Sequence, residues 1–113
     1  MGIRAADYTV VQGDSSPLIL VEVEGEDTID APWTCDLFVV APSDLSTKVV
    51  SKSDLGFAAD NSAFEAFLTQ GETNGLAAGD YLLCFEIENP DYDPHPFKQT
   101  LIKSLRISPK VGA

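Results

Sequence analysis

The sequence predicts an all-β protein, either a sandwich or a small barrel, and three observations carry the prediction. Apolar residues recur with a period of two along most of the chain, as in half-buried strands. Turn residues interrupt this alternation about every dozen positions. No segment with a helical period separates the strands, which argues against a parallel α/β sheet. We expect about seven or eight short strands in one domain over the 113 residues.

Four strands are expected in the first half of the chain, each bounded by turn residues or proline. The first ends at Gly13, a turn glycine. The third lies between Pro32 and Pro42, because proline has no amide hydrogen to donate to a ladder. The expected strands are residues 7–12, 17–24, 33–40 and 48–52.

The second half contains one ambiguous segment, residues 62–69. The preceding Asp-Asn-Ser would cap a helix. The alternation of Phe64, Ala66 and Leu68 and the neighbouring strands favour a strand instead. We expect residues 71–75 to be a polar turn. The remaining expectations are a strand at 80–88, a rigid proline-rich loop at 89–96, a closing strand at 97–107 and a tail at 108–113.

The composition is that of an ordinary globular chain with a strongly acidic balance. Hydrophobic residues make up 44% and charged residues 22% of the sequence. Seven Lys and Arg against eighteen Asp and Glu give a net charge of −11, which argues against nucleic acid or an anionic membrane as a partner. No apolar run approaches the roughly 18 residues of a membrane span, and the first residues lack a signal-peptide core. We therefore expect a soluble protein of intracellular origin. Its expected core comprises Trp33, Leu37, Leu83, Phe85, Leu101 and Leu105.

Residues that could carry chemistry are few. Cys35 and Cys84 lie in separate apolar runs and are expected to be buried free thiols. A single histidine, His95, supports neither a structural zinc site nor nucleophilic catalysis. Asp91 and Asp93 alternate with it and offer oxygen ligands that Ca²⁺ accepts, but a charged loop facing water is the simpler interpretation. The expectation is a protein without catalytic, cofactor-binding or metal-binding residues.

Residues 73–81, Thr-Asn-Gly-Leu-Ala-Ala-Gly-Asp-Tyr, lead directly into a predicted strand. This T-x-x-L-x-x-G-x-Y pattern resembles a turn in small immunoglobulin-like β-sandwich proteins of tailed bacteriophages, and the order of strands is similar over most of the chain. The resemblance implies an immunoglobulin-like antiparallel sandwich with short extensions at 1–6 and 108–113. Tyr81 precedes Cys84 by three positions rather than two, which argues against an antibody-type disulfide.

The same resemblance implies a non-enzymatic virion component, such as a head decoration protein, a cement protein, or a tail or baseplate adaptor. Such a protein binds neighbouring coat or tail proteins as a homo-oligomer or in many copies, and is made in the host cytoplasm. The alternative is a bacterial adhesion or carbohydrate-binding module, which needs exposed aromatic side chains. The candidate contact residues are aromatic or close to the termini: Met1, Arg4, Trp33, Tyr92, Phe97 and Lys110.

Overall fold

In a computed structural model, which describes residues 2–111, the chain forms two facing β-sheets and one short helix. In chain order the elements are β1 (Ile3–Arg4), β2 (Tyr8–Val11), β3 (Ile19–Val23), β4 (Thr34–Ala41), β5 (Asp44–Lys52), β6 (Gly56–Phe57), β7 (Phe64–Ala66), α1 (Gln70–Asn74), β8 (Gly79–Asn89) and β9 (Phe97–Ser108). The larger sheet has the order β2-β9-β8-β4-β5, and the smaller sheet has the order β1-β3-β7-β6. The fold is therefore the all-β, immunoglobulin-like sandwich that the sequence predicts, with one departure from the predicted antiparallel pairing: β2 runs parallel to β9.

The pairing of β4 with β8 and of β8 with β9 forms the centre of the larger sheet. Leu37 lies opposite Phe85, which lies opposite Leu101 on its other side. Odd-numbered residues of these strands face the smaller sheet, whose Ile19 and Val21 are completely buried against them. Five of the six expected core residues are buried, namely Trp33, Leu37, Leu83, Phe85 and Leu105, and Leu101 packs against them half-buried.

The region from β7 to α1 was only partly predicted. The strand Phe64–Ala66 confirms the strand interpretation of that region. The predicted turn at 71–75 is wrong, because the helix Gln70–Asn74 occupies these positions. Thr69 caps the helix: its Oγ1 accepts from the Glu72 amide at 3.2 Å, and the Glu72 carboxylate accepts from the Thr69 amide at 2.8 Å. This capping box is visible in the sequence as T-x-x-E, but no apolar periodicity follows it.

Both predicted extensions are joined to the sheets over the part that the structure describes. Within the extension 1–6, strand β1 pairs antiparallel with β3, and Ile3 and Ala5 pack against the core. Within the extension 108–113, Ser108 still belongs to β9 and pairs with the parallel strand β2. Strands β1 and β6 were not predicted, because two residues are too short for an alternating pattern. They bring the count among the described residues to nine strands.

The chain crosses between the sheets twice at one end of the sandwich, and buried hydroxyl groups join the two crossings. The Ser16 hydroxyl accepts from the Leu68 amide at 2.8 Å. The fully buried Thr73 hydroxyl donates to the Asp14 carbonyl at 2.6 Å and accepts from the Gly13 amide at 3.1 Å. Because buried backbone groups need hydrogen-bond partners, these contacts hold the β2–β3 connection against the β7–β8 connection.

The core assignment predicts a large loss of stability for Phe85→Ala. The ring is completely buried between the sheets, and its removal should lower the free energy of unfolding by about 3–5 kcal/mol. Ile102→Ala on the outer face, at a side chain 55% exposed, is the control and should cost less than about 1 kcal/mol. Urea unfolding of both variants measures the difference, and equal losses would contradict the register of β8.

The buried hydroxyl contacts predict that Thr73→Val destabilises the protein despite its nearly unchanged shape. The substitution removes the partner of the Asp14 carbonyl and of the Gly13 amide, which should cost about 1–3 kcal/mol. Thr100→Val, at an exposed position of β9, is the matched control and should be close to neutral. Thermal unfolding compares the two; a neutral Thr73→Val would show that the two crossings are not held together by this contact.

Candidate interaction surface

The outer face of the larger sheet is apolar at one end. Phe38 of β4, Cys84 of β8 and Ile102 of β9 lie side by side in the ladder. Two positions along β4, Val40 faces the same side and pairs with Leu82 of β8. Since the odd-numbered neighbours of these residues form the core, this end of the sheet is apolar on both faces. Strands of that kind are normally covered on both sides.

Strand β5 covers part of this apolar face. The ladder between β4 and β5 shifts register on either side of Val40, as at a β-bulge, which bends a strand. Leu45 and Lys48 of β5 line the outer face, and the Lys48 ammonium lies 3.6 Å from the ring centroid of Phe38. Phe38 and Val40 are consequently only 7% and 4% exposed, although neither belongs to the core between the sheets.

What remains uncovered is a groove of about 230 Å³, which we call the outer groove. It is lined by the apolar residues just described, by Leu45 and Lys48, and by Glu86 and Thr100. Glu86 lines the polar end of the outer groove. Asp36 on β4 lies opposite Glu86 in the ladder, next to the groove, and its Oδ1 accepts from the Asp54 amide at 3.0 Å. Neither carboxylate has a cation within salt-bridge distance among residues 2–111.

One thiol lies in the outer groove and the other lies in the core. Both cysteines are free, as expected, but Cys84 is half-buried rather than buried. Burial, with a smaller contribution from the Asp36 charge, raises the pKa of Cys35 to about 12. Burial and then the Glu86 charge raise the pKa of Cys84 above its ordinary value. Both thiols are therefore protonated at neutral pH, and only Cys84 is accessible from the surface.

The structure brings the three aromatic candidates together as a packed cluster. The ring centroids of Trp33 and Phe97 are 5.1 Å apart, and the Tyr92 ring lies 5.7 Å from Trp33 and 5.5 Å from Phe97. Trp33 and Phe97 are only 7% and 9% exposed. Phe97 makes edge-to-face contacts with both other rings, as is common in cores. The burial of Trp33 and Phe97 leaves little of their ring surface on which a sugar could stack.

Of the remaining candidates, Arg4 and Lys110 lie away from the outer groove. Arg4 forms an exposed ion pair with Glu22 at 3.0 Å on the smaller sheet. The Lys110 side chain lies against Gly13, whose φ of +88° is a conformation that favours glycine. Met1 lies outside the described residues.

The acidic loop at 89–96 does not gather its side chains around one point. Within the part of the chain that the structure describes, no three His, Cys, Asp or Glu side chains are arranged to hold a metal ion. This includes Asp91, Asp93 and His95, whose alternation raised the possibility of Ca²⁺. The described residues also contain no helix long and apolar enough to cross a membrane.

Sequence reasoning did not identify the outer groove as a site. The available signal was the run Leu37-Phe38-Val39-Val40, in which strict alternation fails. Such a run indicates a strand that is buried on both faces, but its outward positions were not read as a surface. The second signal, Ile102 on the polar face of the last strand, becomes informative only with the β8–β9 register.

Comparisons with known proteins bear on the fold alone. No family model and no curated protein matches this chain. Among solved structures, CopC from Methylosinus trichosporium OB3b is similar with a TM-score of 0.56 and 17% identity, covering 100% of this chain and 95% of that one. AggA, the major subunit of aggregative adherence fimbriae type I from Escherichia coli, aligns with a TM-score of 0.37 and 13% identity, covering 96% and 93%. The likeness to CopC supports the β-sandwich class, and the likeness to AggA is too low to carry an argument.

The positions of the two thiols predict selective labelling. In the native protein a maleimide should modify Cys84 and leave Cys35 untouched until the chain unfolds, because Cys35 is completely buried. Since the pKa of Cys84 is raised above 9.0, its labelling rate should still increase with pH beyond that value. Intact-mass measurement after timed labelling, with and without urea, tests this. Equal labelling of both thiols, or a disulfide surviving denaturation, would contradict the structure.

Proposed function

We propose that the protein is a non-enzymatic structural component of a tailed-phage virion, where it binds a neighbouring coat or tail protein as a decoration, cement or adaptor module. The observation that carries the proposal is the outer groove, an apolar surface on a chain of net charge −11. Contiguous apolar surface on a polar protein is typical of a protein-binding site. A small sandwich of 113 residues also suits a component that is present in many copies in one particle.

The phage-like turn supports the choice of a virion. The Tyr81 hydroxyl donates to the Ala77 carbonyl at 2.8 Å, a tyrosine-corner contact of the kind found in immunoglobulin-like sandwiches. Leu76 of the same turn is buried, and Tyr81 enters a strand that pairs with β9 at Leu105. The residues of this turn therefore have the structural role expected of the turn in the phage sandwich proteins. The assignment to a virion rests on the resemblance of residues 73–81 to that turn.

Charge supports a protein partner rather than nucleic acid. Four of the cationic side chains already neutralise carboxylates of this chain: Arg4, Lys52, Lys98 and Arg106. Lys48 lies over the Phe38 ring. Nucleic-acid binding requires clustered unpaired Lys and Arg. The charge therefore favours a protein partner, which the proposal takes to be another virion protein; the proposal also includes synthesis in the host cytoplasm and no cofactor.

An adhesion or carbohydrate-binding role is the weaker candidate. Lectin-like recognition needs an aromatic ring face open to a sugar, and the Trp33, Tyr92 and Phe97 rings are engaged with one another. The exposed apolar residues of the outer groove are aliphatic, which suits protein contacts better than sugar stacking.

The proposal predicts that the chain is a fixed-copy component of tailed-phage particles. Purified particles from a host that carries the gene should contain it in constant ratio to the major coat or tail protein, measured by quantitative mass spectrometry. Portal, capsid and tail genes should adjoin its gene, and the isolated protein should hydrolyse no ester, peptide or glycoside substrate. Its absence from particles, or a neighbourhood of adhesion genes, would overturn the proposal.

A further inference from the structure

We propose that the outer groove binds a partner segment that presents aliphatic side chains followed by a lysine or arginine. This rests on the proposed function in taking a protein as the partner, and it adds the docking surface and the chemistry of what docks there. The aliphatic side chains would lie over the apolar end, and the cation would lie beside Asp36 and Glu86.

The aliphatic part of the partner follows from the apolar side chains of the outer groove that β5 leaves exposed. Phe38 and Val40 are already buried by β5, whereas Leu45 and Ile102 remain 64% and 55% exposed on the two sides of the outer groove. An aliphatic segment lying between them would bury both side chains, and removal of apolar surface from water favours binding.

The charge of the preferred partner follows from Glu86, a carboxylate without a cation partner among the described residues. Along the outward face of β8, Asp80 and Glu88 are each paired with a cation of β9 at 3.3 Å. Glu86, between them, has the uncharged Thr100 opposite it on β9 and Asp36 opposite it on β4, and like charges directly opposite each other in a ladder are unfavourable. A cation from the partner would relieve this repulsion, so charge complementarity selects a basic residue at this end.

A second copy of the chain is a poor occupant. A two-fold interface brings the same surface from both sides, so the Asp36 and Glu86 carboxylates would face another acidic groove. The only cation lining the outer groove among the described residues is Lys48, which is held over Phe38. The net charge of −11 adds repulsion between copies.

The outer face of the smaller sheet provides an internal control. It exposes Leu18 and Phe67, and Glu65 of β7 lines the same hollow without an ion pair among the described residues. That hollow is lined by Lys52, which is bonded to Glu72 at 2.9 Å. Its Glu65 has Leu20 and Gly56 opposite it, not a second carboxylate, so the described part of this hollow has no facing like charges for a basic partner to relieve and should select one less strongly.

The test uses four capped synthetic peptides of equal length as probes: aliphatic–basic, aliphatic–acidic, aliphatic–neutral and polar–basic. Binding to the full chain is followed by fluorescence anisotropy at low and high salt. The aliphatic–basic peptide should bind about ten-fold or more tightly than the others, and added salt should weaken it. It should also slow maleimide labelling of Cys84. Equal binding of the neutral or acidic peptide, or no protection of Cys84, would overturn the proposal.

Matched substitutions locate the binding. Glu86→Lys and Ile102→Asp should each weaken binding of the aliphatic–basic peptide by about ten-fold or more, whereas Glu65→Lys and Leu18→Asp should change it by less than about two-fold. All four positions are outward-facing, and circular dichroism checks that each variant is folded. Equal effects of both pairs would overturn the assignment to the outer groove. So would a concentration-dependent dimer in sedimentation that Ile102→Asp abolishes, because the occupant would then be a second copy.

Incorporation into particles separates this inference from the proposed function. If the wild-type chain is present in particles and Glu86→Lys and Ile102→Asp are incorporated equally well, the docking surface is wrong and the virion role stands. If the peptide binds as expected and the chain is absent from particles, the virion role is wrong and the docking surface stands.

Discussion

The register between β4 and β8 is the constraint on which the rest of the structure depends. It places Leu37 opposite Phe85 inside the sandwich and, one position further along, Phe38 opposite Cys84 on the outside. A slip of one residue would exchange the two faces of β4. The core and the outer groove are therefore two consequences of the same pairing, and neither could be changed without the other.

The two faces differ in how completely they are covered. The smaller sheet buries the inner face, where Leu37, Leu83 and Phe85 are completely inaccessible. On the outer face, among the residues that the structure describes, Lys48 and Leu45 of the bulged strand β5 cover the Phe38 side of the sheet. The coverage is partial, since Leu45 and Ile102 remain 64% and 55% exposed.

Much of the fold followed from alternation in single strands. The strands at 80–88 and 97–107 were predicted within a residue or two, because apolar residues recur at every second position: 81, 83, 85 and 87 in the first, and 101, 105 and 107 in the second. Helix α1 was missed because its capping box is not followed by an apolar face, and β1 was missed because two residues show no period. These elements are defined by what they pair with or cap, which local sequence does not reveal.

The site was harder to predict than the fold. Trp33, Tyr92 and Phe97 are separated in sequence, and the hairpin that pairs Asn89 with Phe97 brings their rings together inside one end of the sandwich. From the sequence, Trp33 was expected in the core and was also, with Tyr92 and Phe97, a candidate contact residue, because nothing local shows that the three rings pack against one another. Ile102, in contrast, looks like an isolated apolar residue until the ladder places it beside Cys84.

The most direct measurement of the central claim is a cryo-electron microscopy map of the assembled particle at side-chain resolution. The account predicts density for another polypeptide across Leu45 and Ile102, with a lysine or arginine of that polypeptide beside Glu86. A map in which this chain contacts its neighbours only through the smaller sheet or its termini, with the outer groove open to solvent, would contradict it.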